Sequence, residues 1–197
     1  MPDLMDDPIR QFAAWFSEAQ AHPEIVLAET VCLSTLGPDQ TPEGRMVLLK
    51  GFEERGFVFY TNLESNKARA LKEHPRAGLT FHWIPLGRQV RLRGGVTAVS
   101  DEEADEYFAT RPRGSQVGAW ASDQSRPLGA RQDLEARVAE VEGRYEGRDV
   151  PRPPHWSGFR IAPDAMEFWQ EGRFRLHDRF VYSRAGASWA APQRLFP

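Results

Sequence analysis

Apolar residues recur at helical spacing near the start of the chain. Asp7 and Pro8 are typical of a helix beginning, because an acidic side chain caps the first turn and proline is tolerated there. Ile9, Phe12 and Phe16 follow at intervals of three and four residues. The pattern predicts an amphipathic first helix with one face on the core.

A region rich in β-branched, aromatic and alternating apolar residues comes next. These runs predict strands near 25–36, 44–52, 56–61, 77–84 and 88–99. Turn-forming residues at 37–39 and 54–56 leave only short connections, so neighbouring strands are expected to be antiparallel. Later runs predict strands near 157–162, 165–170 and 178–184, and the pattern allows another near 188–195.

Three further helices are indicated between the strands. Ser65 predicts the start of a short helix that ends before Pro75. Ser100 and Glu103 form a capping-box pattern, which predicts a second helix. Pro127 is expected in the first turn of a third, longer helix. Many strands and few long helices predict a mainly β fold, an antiparallel barrel, closed or nearly closed, with helices packed outside.

Composition narrows the class of protein. A length of 197 residues suits one domain over residues 1–197. A net charge of −3 argues against a nucleic-acid partner. No apolar run of about eighteen residues occurs and the N-terminus lacks an apolar signal core, so no membrane contact and a cytoplasmic location are expected. The single cysteine, Cys32, lies in an apolar run and is expected to be buried.

Two motifs place cations where anions could bind. Arg45 and Lys50 flank an apolar strand, and alternation points them to opposite faces, which suits two separate anions. A buried strand with solvated ends is the alternative. Ser65 begins a helix whose first N–H groups, with Lys67, could hold a phosphate, although a capped surface helix has the same pattern.

Two later motifs add further polar clusters. Tyr107 and Arg111 lie four apart on one helical face, and Ser115 follows after a turn, which together suit a phosphate. An arginine at a helix end for dipole reasons is the alternative. Arg175, His177 and Arg179 lie two apart and share one face if the segment is extended. Such a row suits an anionic or electron-rich ligand, whereas the alternative is an exposed edge strand.

The last motif also carries a family resemblance. The segment from Glu167 to Gln170, followed by 175–179, resembles the signature of the pyridoxamine 5'-phosphate oxidases. Segments 45–50, 59–63, 88–90, 111–120 and 124–125 are similar to the same family in the same order, and the likeness covers residues 7–197. It implies an FMN-binding split barrel, antiparallel and Greek-key-like. It also implies a homodimer with flavin mononucleotide (FMN) at the subunit interface and a dimerisation and active-site segment at 156–197.

The resemblance implies a set of site residues. The expected FMN contacts are Arg45, Met46, Val47, Leu48, Lys50, Tyr60, Thr61, Ser65, Asn66, Lys67, Gln89, Gln124, Ser125, Trp169 and Arg179. Of these, Gln124, Ser125, Trp169 and Arg179 are expected from the second subunit. The expected substrate contacts are Lys50, Tyr107, Arg111, Ser115, Arg175 and His177, of which Arg175 and His177 are also the expected catalytic residues. No metal is expected, because the five histidines show no ligand spacing.

The implied reaction oxidises pyridoxamine and pyridoxine 5'-phosphate to pyridoxal 5'-phosphate with O2, releasing H2O2. Whether His177 is a base or a positioner stays open. The alternatives are a related flavin oxidase acting on another reduced aromatic substrate and a non-enzymatic flavin or pyridoxal phosphate binding protein. The chain departs from the family at Asn66, where many relatives carry a second basic residue, and in a shorter N-terminal arm.

Overall fold

The computed structural model describes residues 4–197. Its α-helices are α1 (Pro8–Ala21), α2 (Asn66–Glu73), α3 (Asp101–Ala109), α4 (Arg113–Ala121) and α5 (Arg131–Arg144). Its strands are β1 (Thr30–Leu36), β2 (Pro42–Leu48), β3 (Gly51–Glu53), β4 (Gly56–Asn62), β5 (Arg76–Trp83), β6 (Arg88–Ala98), β7 (Trp156–Gln170), β8 (Asp178–Ala185), β9 (Ser188–Trp189) and β10 (Gln193–Leu195).

The strands form one curled antiparallel sheet with helices on its flanks, which confirms the predicted fold class. The main path runs β10-β8-β7-β6-β5-β1-β2, while β4 pairs with both β3 and β7. The fifteen-residue strand β7 pairs with β4 through its first half and with β8 through its second. One strand therefore belongs to both the curled part and the outer extension of the sheet.

A bend in β7 makes this sharing possible. The pairing register between β6 and β7 shifts at Arg93 and Gly94, opposite Pro163. A Cβ on Gly94 would lie 1.8 Å from the carbonyl oxygen of Ala162, so only glycine lets the two backbones approach this closely. The two strands predicted at 157–162 and 165–170 are therefore one continuous strand, bent where the sequence has Pro163 and Asp164.

Helix α1 packs on the inner face of the sheet. Asp7 Oδ1 accepts from the Ile9 N–H at 2.7 Å, which confirms the predicted cap. Phe12 is fully buried, with its ring 4.9 Å from Phe57 and 5.0 Å from Phe81. Burying such a ring contributes about 1.5–3 kcal/mol, so the apolar stripe of α1 holds the helix against the sheet.

A second apolar cluster joins the other helices to the sheet. It contains Phe108 of α3, Val117 of α4, Val141 of α5 and Trp156 at the start of β7. Tyr60 of β4 and Tyr107 of α3 pack against it. This cluster fixes α3 and α4 beside the end of β4, where the candidate site lies.

Several element boundaries differ from the predictions. Residues 25–29 lie outside β1, which begins at Thr30, and the strand predicted at 44–52 is interrupted at Leu49 and Lys50. Helix α5 begins at Arg131, not around Pro127, because the Ala130 N–H donates to Asp133 Oδ2 at 2.9 Å and fixes the first turn there. The starts predicted at Ser65 and Ser100 are confirmed by both side chains accepting from backbone N–H groups.

One helix was missed and one expectation about burial was wrong. Helix α4 was not predicted, since Gly114 and Gly118 lower the helix propensity of its sequence. Cys32 is only half-buried, because it lies on the face of β1 opposite the core and pairs across the strands with Met46, which is 59% exposed.

Candidate functional site

A cavity of about 450 Å³ lies between β2, β4 and the junction of α3 with α4. Its walls are formed by residues of β2 and β4 and by the facing ends of α3 and α4. Its lining residues are Met46, Val47, Leu48, Lys50, Tyr60, Thr61, Lys67, Tyr107, Thr110, Arg111, Pro112, Ser115, Gln124 and Trp156. The four residues expected to grip a substrate phosphate therefore meet in one cavity of ordinary ligand-binding size.

A second cavity, of about 480 Å³, adjoins the first. Its lining residues are Glu43, Gly44, Arg45, Asn66, Lys67, Gln124 and Ser125. The two cavities share Lys67 and Gln124. Arg45 and Lys50 line different cavities, as their predicted separation required, although β2 ends at Leu48 before Lys50 is reached.

Lys67 lies at the junction of the two cavities. Its Nζ donates to Thr61 Oγ1 at 3.1 Å and to Gln124 Oε1 at 3.0 Å. Burial, and then the nearby positive charge of Arg45, lower the pKa of the Lys67 ammonium. Among the residues from 4 to 197, no carboxylate forms an ion pair with it, so its charge is available to an anion.

The second cavity has a mixed set of polar groups. The Arg45 guanidinium donates to Thr35 Oγ1 at 2.6 Å and pairs with Glu43 at 2.5 Å, so part of its charge is already balanced. Asn66 Oδ1 accepts from Arg69 Nη2 at 2.5 Å, which leaves the Asn66 amide N–H groups to donate elsewhere.

Ser65 shapes this cavity without lining it. Its side chain is fully buried, and its Oγ accepts from the Ala68 N–H at 3.4 Å. Ser65 was expected to contact the cofactor, but in this structure its hydroxyl caps α2. Its contribution is to orient the first turn, which carries Asn66 and Lys67.

Gln124 and Ser125 belong to the same chain's cavity, so the expectation that they come from a second subunit is wrong. Gln124 accepts from Lys67, and Ser125 Oγ accepts from the Asn66 N–H at 3.3 Å. Ser125 has a φ of 70°, in the left-handed region that non-glycine residues rarely adopt. The loop after α4 thus holds a strained residue against the start of α2.

Arg111 is held against aromatic rings in the first cavity. Its guanidinium carbon lies 4.7 Å from the centroid of the Trp156 ring and 5.4 Å from that of Phe108. Its Nη1 is buried with no hydrogen-bond partner within the described chain, and burial lowers the pKa of this guanidinium. A buried cationic donor without an acceptor is costly, which indicates that an anion completes the site.

Two tyrosines complete the wall beside Arg111. Burial, and then the charge of Glu103, raise the pKa of Tyr60 to about 12. Burial also raises the pKa of Tyr107, against the opposing effect of Arg111. Both phenols therefore stay protonated at neutral pH, and the Tyr107 hydroxyl is a hydrogen-bond donor for an anion.

A second cluster of polar residues lies on and beside β6, β7 and β8. Gln89 lies opposite Trp169 in the sheet, and the Trp169 ring centroid is 4.6 Å from that of His177. Arg179 Nε donates to Glu167 Oε1 at 2.9 Å. The two cavities formed by the described part of the chain are lined by none of these residues, nor by Arg175.

The segment that carries the expected catalytic residues is not extended. Residues Arg173–Arg175 form a 3-10 turn, in which Phe174 and Arg175 have φ values of 57° and 63°. The prediction that Arg175, His177 and Arg179 share one strand face is therefore wrong, because β8 begins only at Asp178. The turn holds Arg175 exposed, and His177 Nδ1 accepts from the Gly172 N–H at 3.2 Å.

Sequence reasoning missed one cavity residue, Trp156, and one residue that contacts the cavity lining, Arg69. Trp156 lines the first cavity, but a tryptophan at the start of a strand looks like any core residue in a sequence. Arg69 contacts Asn66, and its spacing of three residues along α2 was the available signal. No cluster of three or more potential metal ligands, and no helix suited to crossing a membrane, occurs in residues 4–197.

Known proteins of one family match this chain over nearly its whole length. The family profile described as pyridoxamine 5'-phosphate oxidase matches residues 18–145. The profile described as the pyridoxine 5'-phosphate oxidase C-terminal dimerisation region matches residues 156–197. A Myxococcus xanthus protein named pyridoxine/pyridoxamine 5'-phosphate oxidase is 55% identical over 191 residues, which cover 97% of this chain and 92% of the relative. An Azorhizobium caulinodans protein of the same name is 55% identical over 98% of this chain and 91% of its own.

Solved structures show the same fold. PhzG from Burkholderia lata, in complex with tetrahydrophenazine-1-carboxylic acid, has a TM-score of 0.93 and 30% identity, covering 100% of this chain and 97% of its own. A Nostoc punctiforme structure described as a pyridoxamine 5'-phosphate oxidase-related, FMN binding protein has a TM-score of 0.78 over 98% of this chain and 100% of its own. At 17% identity, this second likeness concerns the fold alone.

Proposed function

The chain belongs to the pyridoxamine 5'-phosphate oxidase family, and from this premise we propose that it oxidises pyridoxamine and pyridoxine 5'-phosphate to pyridoxal 5'-phosphate. The proposed cofactor is FMN and the proposed oxidant is O2. Two electrons and two protons leave the substrate and reduce O2 to H2O2. With the amine substrate, water then replaces the imine nitrogen and ammonia is released.

One observation carries the proposal: two adjoining cavities share Lys67 and Gln124, and each also has cations of its own, Lys50 and Arg111 in the first and Arg45 in the second. A flavin with a phosphate tail and a substrate with its own phosphate need two anion sites on one groove. A single-anion ligand would leave one set unused. The exposed apolar side chains of Met46 and Leu48 give the groove a surface suited to a flat ring system.

The second cavity fits the phosphate of FMN. Lys67 would supply an unpaired charge, Arg45 a partly balanced one, and Asn66 and Ser125 polar groups beside them. When bound there, FMN supplies the redox chemistry, accepting two electrons from the substrate and passing them to O2. The residues of β2 and β4 orient the groove against which its ring would lie.

The first cavity fits the phosphate of the substrate. Arg111 is held with an unpartnered buried donor, and Tyr107 keeps its proton. Lys50 and Ser115 line the same cavity and add a charge and a hydroxyl. Fixing this remote group orients the carbon that loses electrons, so binding energy is converted into reacting geometry.

The active unit is proposed to be a homodimer in which each cavity receives residues from the partner. The C-terminal match is to a dimerisation region, and within one chain Arg175 and His177 lie away from the cavity linings. Phe174 and Leu176 beside them are 90% and 69% exposed, which suits burial against a second copy. Because His177 Nδ1 accepts from Gly172, its Nε2 carries the proton in the neutral ring, which favours a positioning donor over a base.

The direct test adds pyridoxine 5'-phosphate to the FMN-loaded protein in air and measures aldehyde and peroxide. Both should appear in equal amounts, and unphosphorylated pyridoxine should react far more slowly. Absence of aldehyde with a correctly loaded flavin would contradict the proposal.

The shared site has its own test. Arg111→Ala and Arg175→Ala should each impair activity, and co-expressing the two variants should restore about a quarter of the wild-type sites, because one of the two sites in each mixed dimer is intact. If Arg111 and Arg175 act in the same chain, the mixture will show no recovery. Light scattering should give a dimer throughout.

A further inference from the structure

Three aromatic rings lie parallel in the wall of the first cavity. The Tyr60 centroid is 4.1 Å from that of Tyr107 and 5.2 Å from that of Trp156, with interplanar angles of 14° and 4°. The third distance, between Tyr107 and Trp156, is 6.2 Å. Each ring thus contacts or faces the other two, and we call Tyr60, Tyr107 and Trp156 the aromatic triad.

Arg111 lies against the triad through Trp156. The 4.7 Å separation from the indole centroid places the guanidinium over the ring face. Arg160, by contrast, is held by a carboxylate, that of Glu103 at 2.7 Å. Within residues 4–197 no carboxylate pairs with Arg111, so aromatic rings take the place that an acidic side chain has elsewhere.

The use of aromatic rings in place of a carboxylate partner matters for a residue that binds an anion. A carboxylate partner would fix the guanidinium but would also repel the incoming phosphate and occupy its donors. A ring face fixes the guanidinium plane and leaves its N–H groups, which lie in that plane, free to donate. The indole of Trp156 therefore orients Arg111 without competing for the phosphate.

Trp156 is itself firmly placed. It is 6% exposed and is the first residue of β7, paired with Asn62 of β4. Its backbone N–H donates to the Pro153 carbonyl at 3.0 Å, and its carbonyl accepts from Arg152 Nη1 at 2.8 Å. The ring therefore lies on a sheet strand, whereas Arg111 follows the end of a helix, and within residues 4–197 its side chain is held by contacts with aromatic rings.

We propose that Trp156 is a positioning residue and specificity determinant, whose ring holds the Arg111 guanidinium in the orientation that selects phosphorylated substrates. This rests on the proposed function. Through Tyr60 and Tyr107, the same ring also keeps the flavin-facing and phosphate-facing walls in one fixed relation. Trp156 takes no part in the chemical step, so its loss acts on substrate affinity and on the preference for a phosphate.

The test compares Trp156→Leu and Trp156→Phe in the FMN-loaded, full-length protein. The readouts are KM and kcat for pyridoxine 5'-phosphate, and the Kd of pyridoxal 5'-phosphate by absorbance titration. We expect Trp156→Leu to raise both KM and Kd by about two- to thirtyfold, which is the range for loss of a cation–π contact, and to change kcat little. Trp156→Phe, which keeps a ring face, should recover most of the loss. Trp120→Leu, in the same apolar cluster but outside the cavity lining, is the matched control.

A double-mutant cycle separates positioning from general support of the fold. In an Arg111→Met background, Trp156→Leu should cause no further loss of affinity, because its effect passes through the guanidinium. If Trp156→Leu lowers the affinity by the same factor in the wild-type and Arg111→Met backgrounds, the inference is overturned. If Trp156→Leu does not fold, Arg111→Lys decides, since it keeps the charge without the planar face. Wild-type affinity in that variant would also overturn the inference.

The two proposals fail separately. A wild-type protein that binds pyridoxal 5'-phosphate but forms no aldehyde from pyridoxine 5'-phosphate refutes the oxidase activity and leaves the role of Trp156 standing. An active Trp156→Leu protein with unchanged KM and Kd refutes the role of Trp156 and leaves the activity standing.

Discussion

Gly158 of β7 lies directly under the Tyr60 ring, and replacing it with alanine should disturb the site. A Cβ at this position would lie 2.7 Å from Tyr60 Cδ1 and 2.8 Å from Cε1, with the Phe59 carbonyl oxygen at 3.1 Å. The ring has little room to retreat, because Tyr107 is stacked on it at 4.1 Å. Gly158→Ala therefore pushes on the aromatic triad itself.

The magnitude follows from these distances. Carbon atoms in contact prefer about 3.5–4.0 Å, so the Tyr60 ring must move by about 1 Å. Forcing an extra methyl group into a packed site costs about 1–3 kcal/mol. For a chain of this size each kcal/mol lowers Tm by about 2–4 °C, which gives a total decrease of about 2–12 °C. Because Tyr60 lines the cavity, a shift of this size should also lower kcat/KM by up to about a hundredfold.

The assay compares Gly158→Ala with Gly95→Ala. Gly95 also lies in a strand, but a Cβ there would meet no atom within 4 Å. Thermal unfolding of the flavin-free proteins and steady-state kinetics of the loaded proteins should show large changes for the first variant and small ones for the second. Equal effects of the two substitutions would show that the Tyr60 ring yields freely, and the argument from close packing would be wrong.

Three other predictions concern the charges of the groove. Asn66→Arg should tighten FMN binding and leave riboflavin binding unchanged, because the new cation meets a phosphate that riboflavin lacks. The gain should be only about three- to tenfold, since Asn66 is exposed and already beside Arg69. A fluorescence titration in which both ligands bind more tightly by the same factor would contradict this. FMN affinity should fall as pH rises through the lowered pKa of Lys67, before the ordinary value of 10.5, since deprotonation removes the charge that meets the phosphate; Lys67→Gln should flatten that part of the profile. Arg111→Ala should mainly raise KM, by about ten- to a hundredfold, and Arg175→Ala should mainly lower kcat; the reverse pattern in steady-state kinetics would exchange their roles.

Local hydrogen bonding explains which elements the sequence could predict. The starts at Asp7, Ser65 and Ser100 depend on a side chain and backbone N–H groups within three residues, so the pattern alone contains the cause. The phosphate grip was found from a spacing of four residues between Tyr107 and Arg111, and both line one cavity. The expectation that they share a helical face was wrong, because α3 ends at Ala109.

The features that the sequence did not predict depend on tertiary contacts. The continuity of β7 depends on the approach of Gly94 to Ala162, two segments far apart in the sequence. The turn at Phe174 and Arg175 breaks an alternating pattern with positive φ values that no local residue type signals. The stacking of Arg111 on Trp156 joins a helix end to a distant strand, so a sequence pattern could not show it.

The long strand β7 connects two parts of the proposed active sites. Its first half carries Trp156 into the chain's own cavity, and its second half carries Trp169 towards the group that would serve the partner. The strand is hydrogen-bonded to β6 from Phe159 to Gln170 and to β4 or β8 on its other side, and its contour is about 50 Å. In the proposed dimer, one continuous backbone would therefore join residues of the chain's own cavity to residues that serve the partner.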